Sequence, residues 1–200
     1  MTPRSVSRET EDRLADFAAL LAKWNTRINL VSRGSMADLR ARHIDDSAQI
    51  HALAPHPVRH WADLGSGGGF PGLIVAILAR ETGSPEMVTL VESDARKSAF
   101  LATAIRDLGL AATVRTARIE ALPPLGADIV SARALAELDR LLGYAARHMA
   151  VDGAALFPKG ANWEKELDAA RSKWQFDCRV VKSGTDPASV ILRVTGVTRA

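Results

Sequence analysis

The chain has one cysteine, Cys178, in 200 residues. A lone thiol builds neither a disulfide framework nor a cysteine-rich zinc or iron–sulfur site. The reducing cytoplasm is therefore the expected compartment. Long apolar runs are missing too. The best, Leu73 to Ala79, is framed by Pro71 and Arg80 and falls well short of the roughly 18 residues of a membrane span. The N-terminal stretch MTPRSVSRETEDR has charge but no apolar core, so it does not read as a signal peptide. Charge of one sign is scarce: 26 Lys and Arg against 23 Asp and Glu leave a net +3. That balance permits RNA as a partner but argues against a chain that simply coats a polyanion. No G-x-S-x-G elbow and no pair of glycosidase-like carboxylates is found. His51, His56 and His60 sit around prolines without ligand spacing, so no metal is expected.

Forty-seven per cent of the residues are hydrophobic, enough to bury the core of one compact domain with a small appendage. Twenty of the 26 basic residues are Arg, a bias that suits planar contacts to phosphate or bases. Periodicity changes near residue 57. Before it, Leu14, Phe17, Leu20, Leu21, Trp24 and Ile28 recur three and four apart, the spacing of an amphipathic helix. NLVSRGS interrupts that pattern. Ser35, with Asp38 three residues on, is the expected cap of a second helix carrying Met36, Leu39 and Ile44. The expected organisation is a helical extension over 1–57 packed on a main domain over 58–200.

Beyond residue 57, strand and helix alternate. RHWADL, MVTLVE, ATVRTA, ADIVSA, GAALFPK, FDCRVVK and SVILRVTG are seven candidate strands. Helices are expected at Gly72–Arg80, Asp94–Leu108, Leu135–Met149 and Asn162–Lys173. Such alternation predicts an α/β fold, a mostly parallel sheet covered on both faces. IEALPPLG is too short and proline-broken for a crossover helix and reads as a loop or single turn. Only SGTDPA separates the last two strands, whereas a parallel crossover needs a dozen residues or more. Those strands should form a terminal antiparallel hairpin. The predicted seven-stranded sheet resembles that of a Rossmann-like class I methyltransferase.

RHWADL runs directly into GSGGGFPG. Gly65, Gly67, Gly68 and Gly69 allow a tight turn and close approach of backbone to a ligand, and the following helix turns free amides toward that site. Gly67, Gly69 and Gly72 also match G-x-G-x-x-G, as a nicotinamide site would. The denser register beginning at Asp63 and running through Gly65, Ser66, Gly67 and Gly69 resembles the nucleotide loop of class I methyltransferases. Asp63 would take up an ammonium of the ligand or act through the loop's own amides. Glu92, closing the second strand, can bridge two ribose hydroxyls in either cofactor. Ser93 and Asp94 read as helix caps.

Basic residues cluster at strand ends. Arg96 and Lys97 follow Glu92 and are either a solvated surface or a phosphate contact. Arg118, Arg133 and Lys159 follow the third, fourth and fifth strands, where open α/β sheets place ligands; together they are expected to form a cationic floor. In RARHIDDS, His43 and Asp46 lie three apart on one helical face, so a buried hydrogen bond between them or plain docking is expected. Arg27, Arg33, Arg40 and Arg42 would either extend an RNA surface or belong to a purely structural cover. The tryptophans Trp24, Trp61, Trp163 and Trp174 read as packing residues.

The motifs NLVS (29–32), RHIDDS (42–47), DLGSGGGFPG (63–72), VTLVESDARKSAFL (88–101), RIE (118–120), ARAL (132–135) and PKG (158–160) run through nearly the whole chain. In combination they resemble the small-subunit ribosomal RNA guanine-N7 methyltransferases, the RsmG or GidB family. Val31 stands where many relatives have Thr, and Ala111 or Ala112 where Asn is common. The resemblance implies transfer of a methyl group from S-adenosyl-L-methionine, leaving S-adenosyl-L-homocysteine, to N7 of the guanosine conventionally numbered 527. That nucleotide lies in the 530 loop of bacterial 16S rRNA, and loss of its modification is associated in the family with low-level streptomycin resistance. Implied cofactor residues are Gly65, Gly67, Gly69, Phe70 and Glu92, with the backbone near Ile119 and Glu120 beside the adenine. Arg133 would be the basic residue of the active face. N7 is unprotonated at neutral pH, so no general base is expected; orientation is the main task. A small-subunit particle is the expected partner and a monomer the default state. An NAD-dependent oxidoreductase, a methyltransferase acting on another RNA or a non-RNA substrate, and a non-catalytic rRNA-binding or ribosome-assembly domain compete with this reading. Dinucleotide binding would mark the first, a label on another molecule the second, and rRNA binding without methyl transfer the third.

Overall fold

A computed structural model describes residues 6–200. The first five residues of the charged N-terminal stretch and the side chain of Arg33 lie outside the described residues. Seven strands form one sheet in the order β3-β2-β1-β4-β5-β7-β6. They are β1 (His60–Leu64), β2 (Met87–Glu92), β3 (Ala112–Thr116), β4 (Ala127–Ser131), β5 (Met149–Lys159), β6 (Trp174–Lys182) and β7 (Val190–Arg199). The first five pair in parallel. β7 runs antiparallel to both β5 and β6, because the short 183–189 connection can only turn back on itself. The strand order reverses between β1 and β4, and the carboxyl ends of those strands open onto the crevice where such sheets bind ligands.

Helices cover both faces. On one side lie α1 (Arg8–Asn25), α4 (Gly72–Thr82) and α5 (Ala95–Leu108); on the other lie α6 (Leu138–His148) and α7 (Trp163–Arg171). β1 is sandwiched between them. Trp61 joins the first apolar cluster, while Ala62 and Leu64 join the second. That is why the strand reads as nearly continuous apolar sequence rather than an alternating one. α4 is enclosed throughout its first two turns, from Gly72 to Leu78. α1 inserts Leu14, Phe17 and Leu21 into the same cluster as α4 and α5. Phe17 meets Phe70 edge-on at 5.4 Å, so the amino-terminal helix touches the segment that follows the glycine loop.

The expected second helix is broken into three pieces: α2 (Arg33–Ala37), a π-helical turn (Arg40–Asp45) and α3 (Asp46–Ala52). Ser32, not Ser35, is the cap of α2. Its hydroxyl accepts the Ser35 amide at 3.2 Å, while the buried Ser35 hydroxyl donates back to the Ser32 carbonyl. The break falls at Asp38, whose backbone leaves the helical region (φ −112°, ψ 32°). Other boundaries move as well. α6 begins at Leu138 rather than Leu135, because Ala134 takes a left-handed φ of 51°, an uncommon conformation for a residue with a Cβ. β5 begins at Met149, where α6 ends. IEALPPLG contains a single 3₁₀ turn, Ile119–Ala121.

Candidate active site

The glycine loop is built from the end of β1. Gly65, Gly67 and Gly69 take φ of 69°, 53° and 89°, the left-handed region that L side chains rarely enter. The amides of Gly65 and Ser66 donate to the Val91 carbonyl on β2, and the Ser66 hydroxyl donates to the Asp63 carbonyl. Gly68 has a different reason to lack a side chain: a Cβ there would stand 3.1 Å from the Leu30 carbonyl oxygen. NLVS therefore lies directly against the loop. Asn25 holds it there, its Oδ1 accepting the amides of Leu30 and Val31 and its Nδ2 donating to the Val31 carbonyl. Sequence reasoning overlooked Asn25; an Asn at the end of an amphipathic helix, just before NLVS, was the available signal.

Asp63 lies beneath the loop with no solvent exposure. Its Oδ1 accepts the Ser131 hydroxyl at 2.8 Å, and Ser131 in turn accepts the Trp61 indole N–H. Its Oδ2 accepts the Gly72 amide at 3.2 Å. Burial pushes the carboxyl up to about 6, against the pull of Ser131, Ser66, Gly72 and Arg133. The enclosed carboxyl, bonded to the Gly72 amide, suits the route through the loop's amides better than direct contact with a ligand ammonium.

Glu92 closes β2 and is also buried. One carboxylate oxygen accepts the Gly67 amide at 2.9 Å and the other accepts the Asp94 amide at 2.8 Å. Asp94 caps α5 by accepting the amides of Arg96 and Lys97. The Arg96 side chain is exposed beside Asp94, and Lys97 is half-buried. Ile119 is buried in the 3₁₀ turn. Glu120 is exposed and turns toward α6, where it accepts the Tyr144 hydroxyl at 2.6 Å and Arg140 at 2.7 Å. Tyr144 and then Arg140 hold it down at about 2. Its carboxylate is thus engaged by α6.

The turn after β4 brings Arg133 against Phe70, its guanidinium 5.0 Å from the ring centroid. Arg133 donates to the Arg42 carbonyl at 3.2 Å and stands 3.6 Å from Asp46 Oδ2. Leu135 packs on Gly65, where a Cβ would lie only 2.6 Å from it. The imidazole of His43 also stacks on Phe70, at 4.8 Å and 26°. Burial foremost, then Arg133 and Arg42, drives His43 down to about 4, so it is neutral. The expected His43–Asp46 hydrogen bond is not formed: both ring nitrogens are buried without a partner. The π-helical turn carries His43 onto Phe70, while Asp46 is taken up by Arg133, Gln49 and Thr185.

The expected cationic floor is also corrected. Arg133 and Lys159 line one cleft of about 280 Å³, with Asp46, Glu166 and the 183–189 connection on its other sides. Each cation there has its own carboxylate, since Lys159 pairs with Glu166 at 2.5 Å and donates to the Ala136 carbonyl. Arg118 is exposed and lies outside this cleft. The sheet order explains why: β3 is an edge strand, separated from β4 by β2 and β1. Of the amino-terminal arginines, Arg40 is engaged by Glu11 through both terminal nitrogens and by Asp45 through Nε. Arg42 is exposed with only a 3.7 Å approach to Asp38, and Arg27 is exposed. Among the described residues no group of three His, Cys, Asp or Glu side chains could hold a metal, and no helix is long and apolar enough to cross a membrane.

A family model described as "rRNA small subunit methyltransferase G" matches residues 10–187. A "Ribosomal RNA small subunit methyltransferase G" from Ruegeria sp. (strain TM1040) is 55% identical over 97% of this chain and 94% of its own. Its counterpart from Ruegeria pomeroyi is 56% identical over 98% of this chain and 95% of its own. Among solved structures, a TehB-like SAM-dependent methyltransferase from Corynebacterium glutamicum superimposes with a TM-score of 0.58 at 18% identity, covering 91% of this chain and 98% of that one. This likeness extends to the fold alone. The match over most of the chain, and identities above one half to these relatives, show that the chain belongs to the rRNA small subunit methyltransferase G family.

Proposed function

We propose that the protein transfers a methyl group from S-adenosyl-L-methionine to N7 of guanosine 527 in the 530 loop of 16S rRNA, acting as a monomer on a small-subunit ribosomal particle. The observation that carries the cofactor half is the loop itself. Three left-handed glycines bring backbone to the ligand without side chains, and Gly67 is fastened to Glu92. Each Glu92 oxygen takes only one amide, and a carboxylate oxygen can accept more than one donor, so both are able to receive ribose hydroxyls. Gly65, Ser66, Gly67, Gly69 and Phe70 form the seat, with Asp63 stiffening it from below. The backbone of Ile119 and Glu120 borders the adenine.

Bound S-adenosyl-L-methionine supplies an electrophilic methyl, and transfer makes the N7–C bond as the C–S electrons return to sulfur, with no proton lost. The chain consequently needs no general base. Its work is orientation and charge placement. Arg133, held by Phe70, Asp46 and the Arg42 carbonyl, presents a guanidinium beside the cofactor seat. Directed to O6 or to phosphate it leaves N7 open, whereas the usual fork onto both O6 and N7 would block the nucleophile. Lys159 lies deeper in the cleft, paired with Glu166, and is placed for phosphate or base after that pair opens. Arg42, Arg96 and Arg118 are exposed and Lys97 is half-buried, so they suit RNA phosphates, and His43 supports Phe70 from within.

The test is direct. Undermodified small-subunit particles and free 16S rRNA are each incubated with labelled S-adenosyl-L-methionine, and the labelled nucleotide is mapped. Label at guanosine 527 N7 is expected. Label on another nucleotide, or binding without transfer, would overturn the assignment.

A further inference from the structure

The cleft beside the cofactor seat carries more detail than orientation requires. Its mouth combines a guanidinium and a carboxylate from distant parts of the chain, Arg133 after β4 and Asp46 at the start of α3. The two oxygens of Asp46 are unlike. Oδ1 accepts Gln49 Nε2 at 2.8 Å and the Thr185 hydroxyl at 3.0 Å, which fixes the carboxylate in place. Oδ2 faces Arg133 at 3.6 Å, an ion-pair separation beyond ordinary hydrogen-bond length. The Asp46 side chain is 17% exposed and that of Arg133 18%. Both are therefore sheltered from water yet open to the cleft.

We infer that Asp46 and Arg133 together select guanine, with Asp46 Oδ2 accepting N1–H and the 2-amino group while Arg133 donates to O6. This inference rests on the guanine-N7 reading above and deepens it. Along one edge guanine presents an acceptor followed by two donors, and a guanidinium next to a carboxylate presents the complementary series. Adenine presents a donor and an acceptor in the first two of those positions and would set like against like. Engagement of this edge leaves N7 free on the other side of O6, so base selection and methylation do not compete. The 3.6 Å between Arg133 and Asp46 Oδ2 lets the neighbouring O6 and N1–H of that one edge meet the two groups side by side.

The same arrangement favours the reaction. Methylation places positive charge in the purine ring and makes N1–H more acidic. A hydrogen bond from N1–H to a sheltered carboxylate is then stronger in the transition state than in the bound substrate, the condition for raising kcat rather than binding alone. Asp46 is a specificity residue for the base and not a proton acceptor, since the balanced transfer releases no proton.

A purely structural role is the rival, because Asp46 and Gln49 also tie α3 to the 183–189 connection through Ser183, Gly184 and Thr185. The experiment uses small-subunit particles carrying either guanosine or inosine at the methylated position. Inosine keeps N7, O6 and N1–H and lacks only the 2-amino group. Wild type is expected to methylate the inosine particle about tenfold more slowly, the worth of a hydrogen bond to a charged group. Asp46→Ala should lose about ten- to a hundredfold in kcat on guanosine, bind S-adenosyl-L-methionine as wild type does in calorimetry, and show no further loss on inosine. Equal wild-type rates on the two particles would overturn the inference without any variant. So would an inosine penalty that survives intact in Asp46→Ala. A wild-type enzyme that labels no guanine N7 at all, seen in the guanosine arm, would instead remove the reading on which this one stands.

Discussion

Asp63 Oδ2 accepts the amide of Gly72 at 3.2 Å, joining the end of β1 to the first turn of α4 across the whole glycine loop. The approach is so close that a Cβ on Gly72 would stand 2.8 Å from Asp63 and 2.2 Å from Leu90. The loop is thus clamped at its base by a carboxyl that has no contact with solvent. Burial raises Asp63 from 3.8 to about 6, so between those values the folded state holds a proton that the unfolded chain has released. Stability attributable to this group is greatest below about pH 4 and falls as pH rises through about 6.

That sign gives the first prediction. Asp63→Asn keeps the shape and removes the buried charge, and Ser131 can turn its hydroxyl to accept the new amide. Measured by denaturant unfolding from pH 4 to 7.5, the stability difference between variant and wild type should move in the variant's favour by about 3 kcal/mol, the equivalent of a shift of roughly two pH units. A difference independent of pH would show that Asp63 is ionised and well compensated throughout.

Gly69→Ala tests the seat itself. The new Cβ would lie 2.4 Å from Leu73 Cδ1 at a φ of 89°, and Leu73 has no room to retreat because it is fully buried. Destabilisation of about 1–3 kcal/mol is expected from the backbone strain. Calorimetry should show S-adenosyl-L-methionine binding lost or weakened at temperatures where circular dichroism still reports a folded chain.

Glu92→Gln probes the other half. Glutamine has one acceptor oxygen, so it cannot take the amides of both Gly67 and Asp94 as Glu92 does. An N–H would be left facing an N–H, and a buried unmatched donor costs about 1–3 kcal/mol. The expected outcome is a Kd for S-adenosyl-L-methionine raised about ten- to a hundredfold, with rRNA affinity unchanged in a filter-binding assay.

Arg133→Lys and Arg133→Ala separate charge from shape. Lysine retains a cation but cannot lie flat on Phe70 while reaching Asp46 and the Arg42 carbonyl together. Both variants should lower kcat about ten- to a hundredfold in single-turnover methylation and leave cofactor affinity near wild type. Unchanged turnover with unchanged RNA binding would remove Arg133 from the site.

The amino-terminal arginines should divide by their partners. Arg42, exposed and loosely placed beside Asp38, is available to phosphate, so Arg42→Gln should reduce the salt slope of rRNA binding by about one. Arg40 is already engaged by Glu11 and Asp45. Arg40→Gln should leave that slope unchanged and lower the melting temperature instead.

The strands, the glycine loop, the acid closing β2 and the terminal hairpin are all legible in the sequence. Each depends on a signal local to its own stretch of chain: period-two or continuous apolar runs, glycines where the backbone turns left-handed, a connection too short for a crossover. Contacts between stretches were not legible. His43 and Asp46 have helical spacing and should have met, but a π-helical turn delivers one to Phe70 and a cation from beyond β4 takes the other. Arg118, Arg133 and Lys159 occupy equivalent ends of successive strands, yet only two share a cleft, because β3 sits on the far side of β2 and β1. Local backbone preference and apolar periodicity determine which segments become strands and helices. Which charge finds which counter-charge depends on the sheet order and on burial, and both exist only once the whole chain has folded.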